Sequence, residues 1–280
     1  MGPDIKKLIP GNCIRSWEQL AALVEYFSYW NQIDWLFRGV RDASYALIPR
    51  IGRSETRAKK TDVVTAKRSR VPYRPDDELG LLEIFKDQAR AYLPNPPSLD
   101  LEWLALAQHY GMPTRLLDWT ESVLVAAWFA VEDPKKDRDS AIWVTRNVPP
   151  VNEEDRRQPF SAKQVKIYRP PHISPRISAQ QSVFTLQPKP IKEVTLPFAE
   201  KYTVGWQNCF TIKKRLHACG VNRRSLFIDL SGLCEHLSWI YKHDWLPLGY
   251  RTGSFNKTAD PSSLRTAAYE ISGDTIEGDE

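Results

Sequence analysis

Three short segments carry the residues of this 280-residue chain whose types and spacing could support chemistry. They are residues 37–39, residues 108–120 and residues 176–185. Each places arginine, glutamine, histidine or aspartate side chains among apolar residues, where an unpaired polar group is costly. Polar side chains in such surroundings form either an internal network or a binding site.

Arg38 is the first candidate because it lies inside the apolar run 34–40, which reads as a short strand ended by a glycine. A guanidinium in that position needs an anionic partner, either a carboxylate of the protein or a ligand. Its fixed fork of donors suits phosphate and carboxylate oxygens.

The second segment concentrates five polar residues between two apolar flanks: Gln108, His109, Thr114, Arg115 and Asp118. The first segment also contains an arginine, and the third contains two glutamines. Polar residues in three separate apolar segments favour a shared cleft. The alternative is structural for each residue taken alone. Arg38 would then pair with Asp118, Arg115 with another core carboxylate, and the histidine and glutamines with local backbone.

The element that presents this segment is predicted to be a pair of helices. Apolar spacing over residues 103–110 predicts the first helix, which the following glycine and proline would end. Asp118 with Glu121 resembles a capping box and predicts a second helix beginning near Trp119. The apolar run 123–131 places that helix in a core, and it is too short to cross a bilayer.

The rest of the chain predicts an α+β fold, a mixed or antiparallel sheet packed with several helices, because helices and short strands occur without regular βαβ alternation. Helices are predicted at residues 16–30, 78–92, 210–218 and 225–241, with Ser16 and Asn222 as caps of the first and last. Strands are predicted at residues 34–40, 141–144, 165–168 and 182–186, with others at 194–196 and within 202–209. Residues 147–164 are predicted to be a loop.

Composition suits an intracellular domain. The net charge is +5 and the four cysteines form no Cys-x-x-Cys pair, which is typical of a reducing cytosol. No signal peptide or membrane span is visible, so we expect a cytoplasmic protein without membrane attachment. We expect one main domain at residues 17–250, an N-terminal extension at residues 1–16 and a disordered acidic tail at residues 251–280.

Residues 50–75 are strongly basic and are predicted to be a surface loop. The commoner interpretation is a solvated charge run. The functional interpretation is a contact for RNA or DNA through phosphates, and its candidates are Lys59, Lys60, Lys67 and Arg68.

Four residues have side chains of the metal-ligating type: His217, Cys219, Cys234 and His236. Cys234 and His236 are two apart in a predicted helix and do not share a face, and zinc sites use other spacings. We therefore expect no metal site.

The three segments, in this order, resemble the FRG domain, a family of bacteria and phages named for its Phe-Arg-Gly motif. The resemblance extends over residues 17–239 and includes residues 226–230. The first motif also looks like the strand motif of Arg-Ser-Glu type ADP-ribosyltransferases, whose arginine lies on bound NAD. The resemblance therefore implies an ADP-ribosyltransferase-like fold, NAD as a substrate, and transfer to a macromolecule such as a nucleic acid. It also implies a toxin or phage-defence effector with a neutralising partner protein.

The same resemblance assigns roles to individual residues. The implied catalytic residues are Arg38, Asp118, Gln180 and Gln181, and the implied NAD contacts are Phe37, Gly39, His109, Thr114 and Arg115. Gln180 or Gln181 stands where such transferases place a glutamate, and Ser182 stands where the family usually has glycine. Because glutamine supplies no charge, Asp118 or Glu121 would provide it. Two alternatives remain: a non-catalytic module that binds nucleic acid or a nucleotide, and a regulatory domain that recognises a partner protein.

Overall fold

The computed structural model describes residues 4–30, 33–53, 73–171 and 179–246. The helices of this part are α1 (Ile5–Leu8), α2 (Trp17–Tyr29), α3 (Pro75–Ala89), α4 (Asp100–His109), α5 (Val123–Val131), α6 (Glu153–Arg157), α7 (Cys209–Ala218), α8 (Arg223–Leu226) and α9 (Leu230–Lys242). The strands are β1 (Cys13–Ile14), β2 (Leu36–Val40), β3 (Leu116–Thr120), β4 (Ser140–Thr145), β5 (Lys166–Tyr168), β6 (Ser182–Leu186) and β7 (Glu200–Val204). The predicted nucleic-acid contacts Lys59, Lys60, Lys67 and Arg68, and the predicted tail 251–280, lie outside the described residues.

The strands form one seven-stranded mixed sheet in the order β1-β7-β4-β2-β3-β6-β5. The pair β1 and β7 is parallel, whereas the other neighbours are antiparallel. This architecture confirms the predicted α+β class. It also places β2 and β3, the strands of the first two segments, beside one another at the centre of the sheet.

Helix α5 packs on β2 at unusually short range, and Gly39 makes this possible. A Cβ atom at Gly39 would collide with the main-chain oxygen of Ala126 and the main-chain nitrogen of Ala130. Because those atoms belong to the helix backbone, no side-chain rotation could relieve the collision. The glycine of the first segment therefore fixes the separation of α5 from the sheet.

The core on the α5 face includes the ring of Phe37, which makes an edge-to-face contact with Phe27 of α2 at 5.0 Å between centroids. Leu36, Leu117 and Trp119 belong to a second apolar cluster. Because side chains alternate along a strand, Arg38 is directed to the Leu36 side of β2 and not toward α5.

Residues 116–120 are a strand, so the predicted helix beginning near Trp119 and its cap at Asp118 are wrong. Five residue pairs join β3 to β6, from Leu116–Leu186 to Thr120–Ser182. Helix α5 begins at Val123 instead, and Ser122 caps it by accepting a hydrogen bond from the main-chain N–H of Val125 (3.3 Å).

The observed secondary structure confirms some of the other predicted elements and corrects the rest. Ser16 caps α2 as predicted, and residues 182–186 are a strand as predicted. Residues 194–196 form no strand, and the strand expected within 202–209 is Glu200–Val204. The loop 147–164 contains α6. Asn222 caps the short helix α8, whereas Asp229 caps α9.

The free side of β5 is occupied by a proline-containing segment. The main-chain N–H of Ile167 donates to the carbonyl of Pro149 (2.8 Å), and the N–H of Val151 donates to the carbonyl of Ile167 (2.9 Å). Pro150 lies between these two bonds and has no N–H to donate. The sheet therefore ends, on this side, at a short segment that contains two prolines.

The chain forms two compact units, Met1–Ile228 and Asp229–Glu280. The sheet belongs to the first unit, and α9 is the helix that the structure describes in the second. No helix in the described ranges has both the length and the apolar character that crossing a membrane requires.

Candidate functional site

A cleft of about 320 Å³ lies where β2 and β3 are not paired. Strand β2 pairs with β4 along five residues, but its ladder with β3 consists of the pair Phe37–Thr120. The volume is at the lower end of the range typical of small-molecule sites. Its lining is Phe37, Arg38, Gly39, Arg50, Arg53, Gln108, Met112, Leu116, Leu117, Asp118, Trp119, Thr120, Phe129, Gln180 and Ser182.

Arg38 bridges the two strands. Its Nη1 donates to the main-chain oxygen of Asp118 (2.6 Å) and lies 3.6 Å from the Oδ2 atom of the same residue. The Arg38 side chain is 14% exposed, whereas that of Asp118 is 59% exposed. Burial lowers the pKa of Arg38, and the charge of Asp118 opposes this shift while that of Arg53 adds to it. The cleft therefore contains a partly desolvated guanidinium that faces a solvated carboxylate.

Two further guanidiniums border the cleft from the short 3-10 turn Arg50–Gly52 and the residue after it. Nη1 of Arg50 donates to the carbonyl of Gly111 (2.8 Å), and Nε of Arg53 donates to the carbonyl of Ile48 (2.9 Å). Of the lining residues, three are arginines and one is a carboxylate, Asp118. Such a lining favours an anionic ligand.

A hydrogen-bonded network holds Asp118 in place. Nε2 of Gln108 donates to Oδ1 of Asp118 (2.8 Å), and the hydroxyl of Thr114 donates to Oε1 of Gln108. The Thr114 oxygen also accepts from the main-chain N–H of Leu116 (3.1 Å). The end of α4 is thereby linked to β3, and the carboxylate is positioned beside Arg38.

Arg115 lies outside the cleft lining and is almost completely buried against α3. Its Nη2 is 2.9 Å from Oε2 of Glu78, and the two side chains are 4% and 2% exposed. The Glu78 carboxylate also accepts from the main-chain N–H of Arg115 (3.1 Å) and from the hydroxyl of Tyr73 (2.6 Å). This is the core ion pair that the structural alternative predicted for Arg115.

Some of the other expected NAD contacts line the cleft, and some lie outside it. Phe37 and Gly39 line the cleft. Thr114 is fully buried and acts on the cleft through Gln108. His109 is not among the lining residues, and its ring contacts Tyr110 edge to face at 4.9 Å.

The two glutamines of the third segment have different positions. Gln180 lines the cleft, but its Nε2 donates to the main-chain oxygen of Leu226 (3.0 Å). Gln181 is exposed, has a positive φ of 46° and lies outside the lining. The structure therefore brings Arg38, Asp118 and Gln180 together and leaves Gln181 apart.

Arg50 and Arg53 are cleft residues that the motifs did not identify. They begin the basic segment, and nothing in the sequence distinguishes them from its other lysines and arginines. The available signal is Gly52 between them, since a Cβ atom there would collide with the main chain of Pro190. A glycine required by close packing indicates that the turn is docked against the protein.

The residues that the structure describes include the metal-ligating types that the sequence offers. No group of three or more His, Cys, Asp or Glu residues could hold a metal ion among them.

Comparison with known families gives one match. The sequence profile of the FRG domain matches residues 33–139, a range that contains β2, the arginine turn, α4, β3 and α5. The predicted segments 37–39 and 108–120 fall inside it, whereas residues 176–185 fall outside. No functionally described protein and no solved structure matches the chain.

Proposed function

Given that this chain carries an FRG domain at residues 33–139, we propose that the cleft between β2 and β3 binds NAD and that the protein transfers ADP-ribose from it to a macromolecule. The observation that carries the proposal is Arg38, a guanidinium 14% exposed in a cleft of ligand size. The proposal names the anion that would neutralise it, the diphosphate of NAD.

Arg38 and Arg53 are the residues proposed to hold the diphosphate. Burial is the largest cause of the lowered pKa of Arg38, and the charge of Arg53 adds to it, so an anion between the two guanidiniums would relieve their repulsion. A phosphate oxygen accepts a charge-assisted hydrogen bond about twice as strong as a neutral one. The aromatic rings of Phe37, Trp119 and Phe129 in the lining offer apolar surface for a base or for nicotinamide.

Asp118 is the proposed source of negative charge in the reaction. The bond between nicotinamide nitrogen and ribose C1′ breaks, and nicotinamide leaves with the bonding electrons as a neutral molecule. An acceptor nucleophile then bonds to C1′ and loses its proton to solvent. A fixed carboxylate stabilises the positive charge that develops on the ribose, and the bond from Gln108 (2.8 Å) holds that of Asp118 in place.

Nicotinamide release from NAD by the full chain tests this proposal, with and without RNA, DNA or cell lysate. Release that requires an acceptor identifies a transferase and its acceptor class. We expect Arg38→Ala to reduce release by at least about a hundredfold. Arg38→Lys keeps the charge but loses the fork, so it should retain an intermediate rate.

Arg157→Ala is the matched control, because Arg157 is exposed and pairs with Glu153 on the surface of α6. It should leave release unchanged. Thermal unfolding of each variant separates loss of the site from loss of the fold, since Arg38 also binds the Asp118 carbonyl. A folded wild-type chain that neither binds millimolar NAD in calorimetry nor releases nicotinamide would refute the proposal.

A non-catalytic nucleotide-binding module is the second candidate, and the position of Gln180 favours it. The Gln180 amide is bonded to the Leu226 carbonyl (3.0 Å), so it would have to leave that bond to reach a ribose hydroxyl. This candidate predicts NAD or nucleotide binding that Arg38→Ala abolishes, without nicotinamide release under any condition.

A role as a toxin or phage-defence effector with a neutralising partner follows from the proposed transfer. We expect expression of the wild-type chain to arrest bacterial growth and expression of Arg38→Ala to permit it. Equal growth with both chains would argue against the role.

A further inference from the structure

A second cavity, of about 290 Å³, lies at the end of β4 and has Arg146 in its wall. Arg146 follows Thr145, which pairs with Leu36 of β2. Leu36 also lines this cavity. The cavity does not share its lining residues with the cleft described above.

Two aromatic rings hold the Arg146 guanidinium. Its central carbon lies 5.0 Å from the ring of Trp35 and 5.0 Å from the ring of Phe198. The strand registers explain the arrangement, because they place Trp35 and Phe198 opposite Arg146 on its two sides. Trp35 lies one residue beyond the paired part of β2, and Phe198 lies two residues beyond that of β7. The two rings also contact each other edge to face at 5.9 Å.

The two rings stand where a carboxylate partner of Arg146 would otherwise be expected. Nε of Arg146 is buried and has no hydrogen-bond partner in the described part of the chain. Because Nε is closed to solution, an anion that enters the cavity would accept hydrogen bonds from the Nη groups of this guanidinium.

The neighbouring charges do not neutralise Arg146. Arg169, on another wall, pairs with Asp34 (3.5 Å) and with Glu121 (3.0 Å). Asp34 thus faces a cation of its own, and no ion pair to Arg146 occurs among the residues that the structure describes.

A mainly apolar cavity of about 410 Å³ adjoins this site and shares Ile33 and Asp34 with it. Asp34 and Glu121 are the carboxylates in its wall, and Phe37 also lines the cleft at Arg38. Phe27, Trp35 and Leu124 are among its lining residues. A basic position beside an aromatic cavity is the combination that nucleotide units fit, with the phosphate on the cation and the base on apolar surface. A simple carboxylate would leave the second cavity unused.

We propose that Arg146 binds the phosphate group of a nucleotide unit at its cavity, whose lining residues differ from those of the cleft at Arg38. The phosphate comes either from a free nucleotide or from a nucleic-acid backbone. Either source would accept hydrogen bonds from the Nη donors of Arg146. The site does not require that NAD bind at Arg38.

The test is a titration of the full chain followed by proton–nitrogen NMR of the arginine Nε–H groups, with the Arg146 signal assigned by its loss in Arg146→Lys. The probes are inorganic phosphate, AMP and a single-stranded RNA oligonucleotide without terminal phosphates, at constant ionic strength kept with chloride. We expect a saturable shift of the Arg146 signal. A shift with AMP but not with the oligonucleotide identifies a free nucleotide, and the reverse identifies a phosphodiester.

Two variants, each lacking one positive charge, test whether Arg146 itself binds the probe. Arg146→Gln should weaken binding of the effective probe by about tenfold, the effect of one charge-assisted hydrogen bond. Arg156→Gln is the matched control, because Arg156 lies over the Tyr168 ring at 6.0 Å outside this cavity, and it should bind normally. Thermal unfolding verifies that each variant is folded.

Arg38→Ala separates this site from the first. Unchanged titration of the Arg146 signal in that variant supports two sites, whatever the outcome for NAD. The proposal is overturned if no probe moves the Arg146 signal, if Arg146→Gln binds as tightly as wild type, or if binding disappears with Arg38→Ala instead.

Discussion

Individual arginines have different roles in this protein according to what surrounds them. Arg115 is neutralised inside the core by Glu78, Arg38 binds a main-chain oxygen at the edge of a cleft, and Arg146 rests on aromatic rings. The sequence alone predicted that Arg38 needs a partner, because its neighbours are apolar. It could not separate Arg38 from Arg115, because Glu78 lies 37 residues from Arg115 and only the fold brings the two together.

Asp42 carries a pH dependence that can be measured. This buried carboxylate accepts hydrogen bonds from the main-chain N–H of Ser44 (3.0 Å) and from Lys135 and Arg138, and the bonds from Ser44 are the largest cause of its strongly lowered pKa. Because the unfolded chain takes up the proton first, at a pKa of about 3.9, the contribution of Asp42 to stability is present above that pH and is lost as the pH falls below it.

We therefore expect Asp42→Asn to lower the melting temperature at pH 7 and to lower it progressively less as the pH falls below about 4. Thermal unfolding from pH 7 to the most acidic pH at which the chain remains folded measures the difference. Asp133→Asn is the control, since the Asp133 side chain is 78% exposed in its pair with Arg41, and it should have little effect at any pH. A difference for Asp42→Asn that does not change with pH would contradict this account.

An element can be predicted when the residues that determine it are neighbours in sequence. It is missed when its conformation depends on pairing with a distant strand. The cap at Ser16 and the alternation of residues 182–186 are readable from neighbours in sequence. Strand β3 is not, because its conformation is fixed by five residue pairs with β6. Asp118 therefore resembled a cap, although its strand position is what allows its carbonyl to meet Arg38.

The close packing of α5 on β2 predicts the effect of two glycine substitutions. Gly39→Ala places a methyl group against the α5 backbone and should destabilise the fold by about 3 kcal/mol or more, as overpacked cores do. Gly80→Ala is the matched control, because a Cβ atom there would meet no atom within 4 Å and the residue lies inside helix α3. It should stabilise the fold by about 0.5–1 kcal/mol.

Urea unfolding at equilibrium provides both free energies. If α5 is held against β2 as described, the two substitutions change the free energy of unfolding with opposite signs. Equal effects, or a neutral Gly39→Ala, would show that α5 can move away from the sheet at little cost.

At the scale of the whole molecule, the excess positive charge is small but its distribution in the sequence is uneven. Four of the cations, Lys59, Lys60, Lys67 and Arg68, remain predicted contacts for nucleic acid. Replacing all four with glutamine should weaken binding of single-stranded RNA and reduce the slope of log affinity against log salt by up to about 3. Fluorescence anisotropy at several salt concentrations measures that slope.

A second variant controls for net charge alone. It replaces four exposed cations elsewhere with glutamine, namely Lys6, Lys7, Arg90 and Lys136. Its slope should stay close to that of the wild type. If both variants change the slope equally, the RNA responds to total charge and not to a basic contact surface.

The prolines beside β5 affect whether two copies of this protein can associate through the edges of their sheets. An edge strand with free N–H and C=O groups can recruit a strand from another molecule and begin aggregation. Here the outer groups of Ile167 are already bonded to Pro149 and Val151, and the proline between them cannot extend a ladder. The strand at the opposite end of the sheet, β1, has two residues and offers little length for such recruitment. Neither end of the sheet in the described ranges is therefore a good template for intermolecular β-structure.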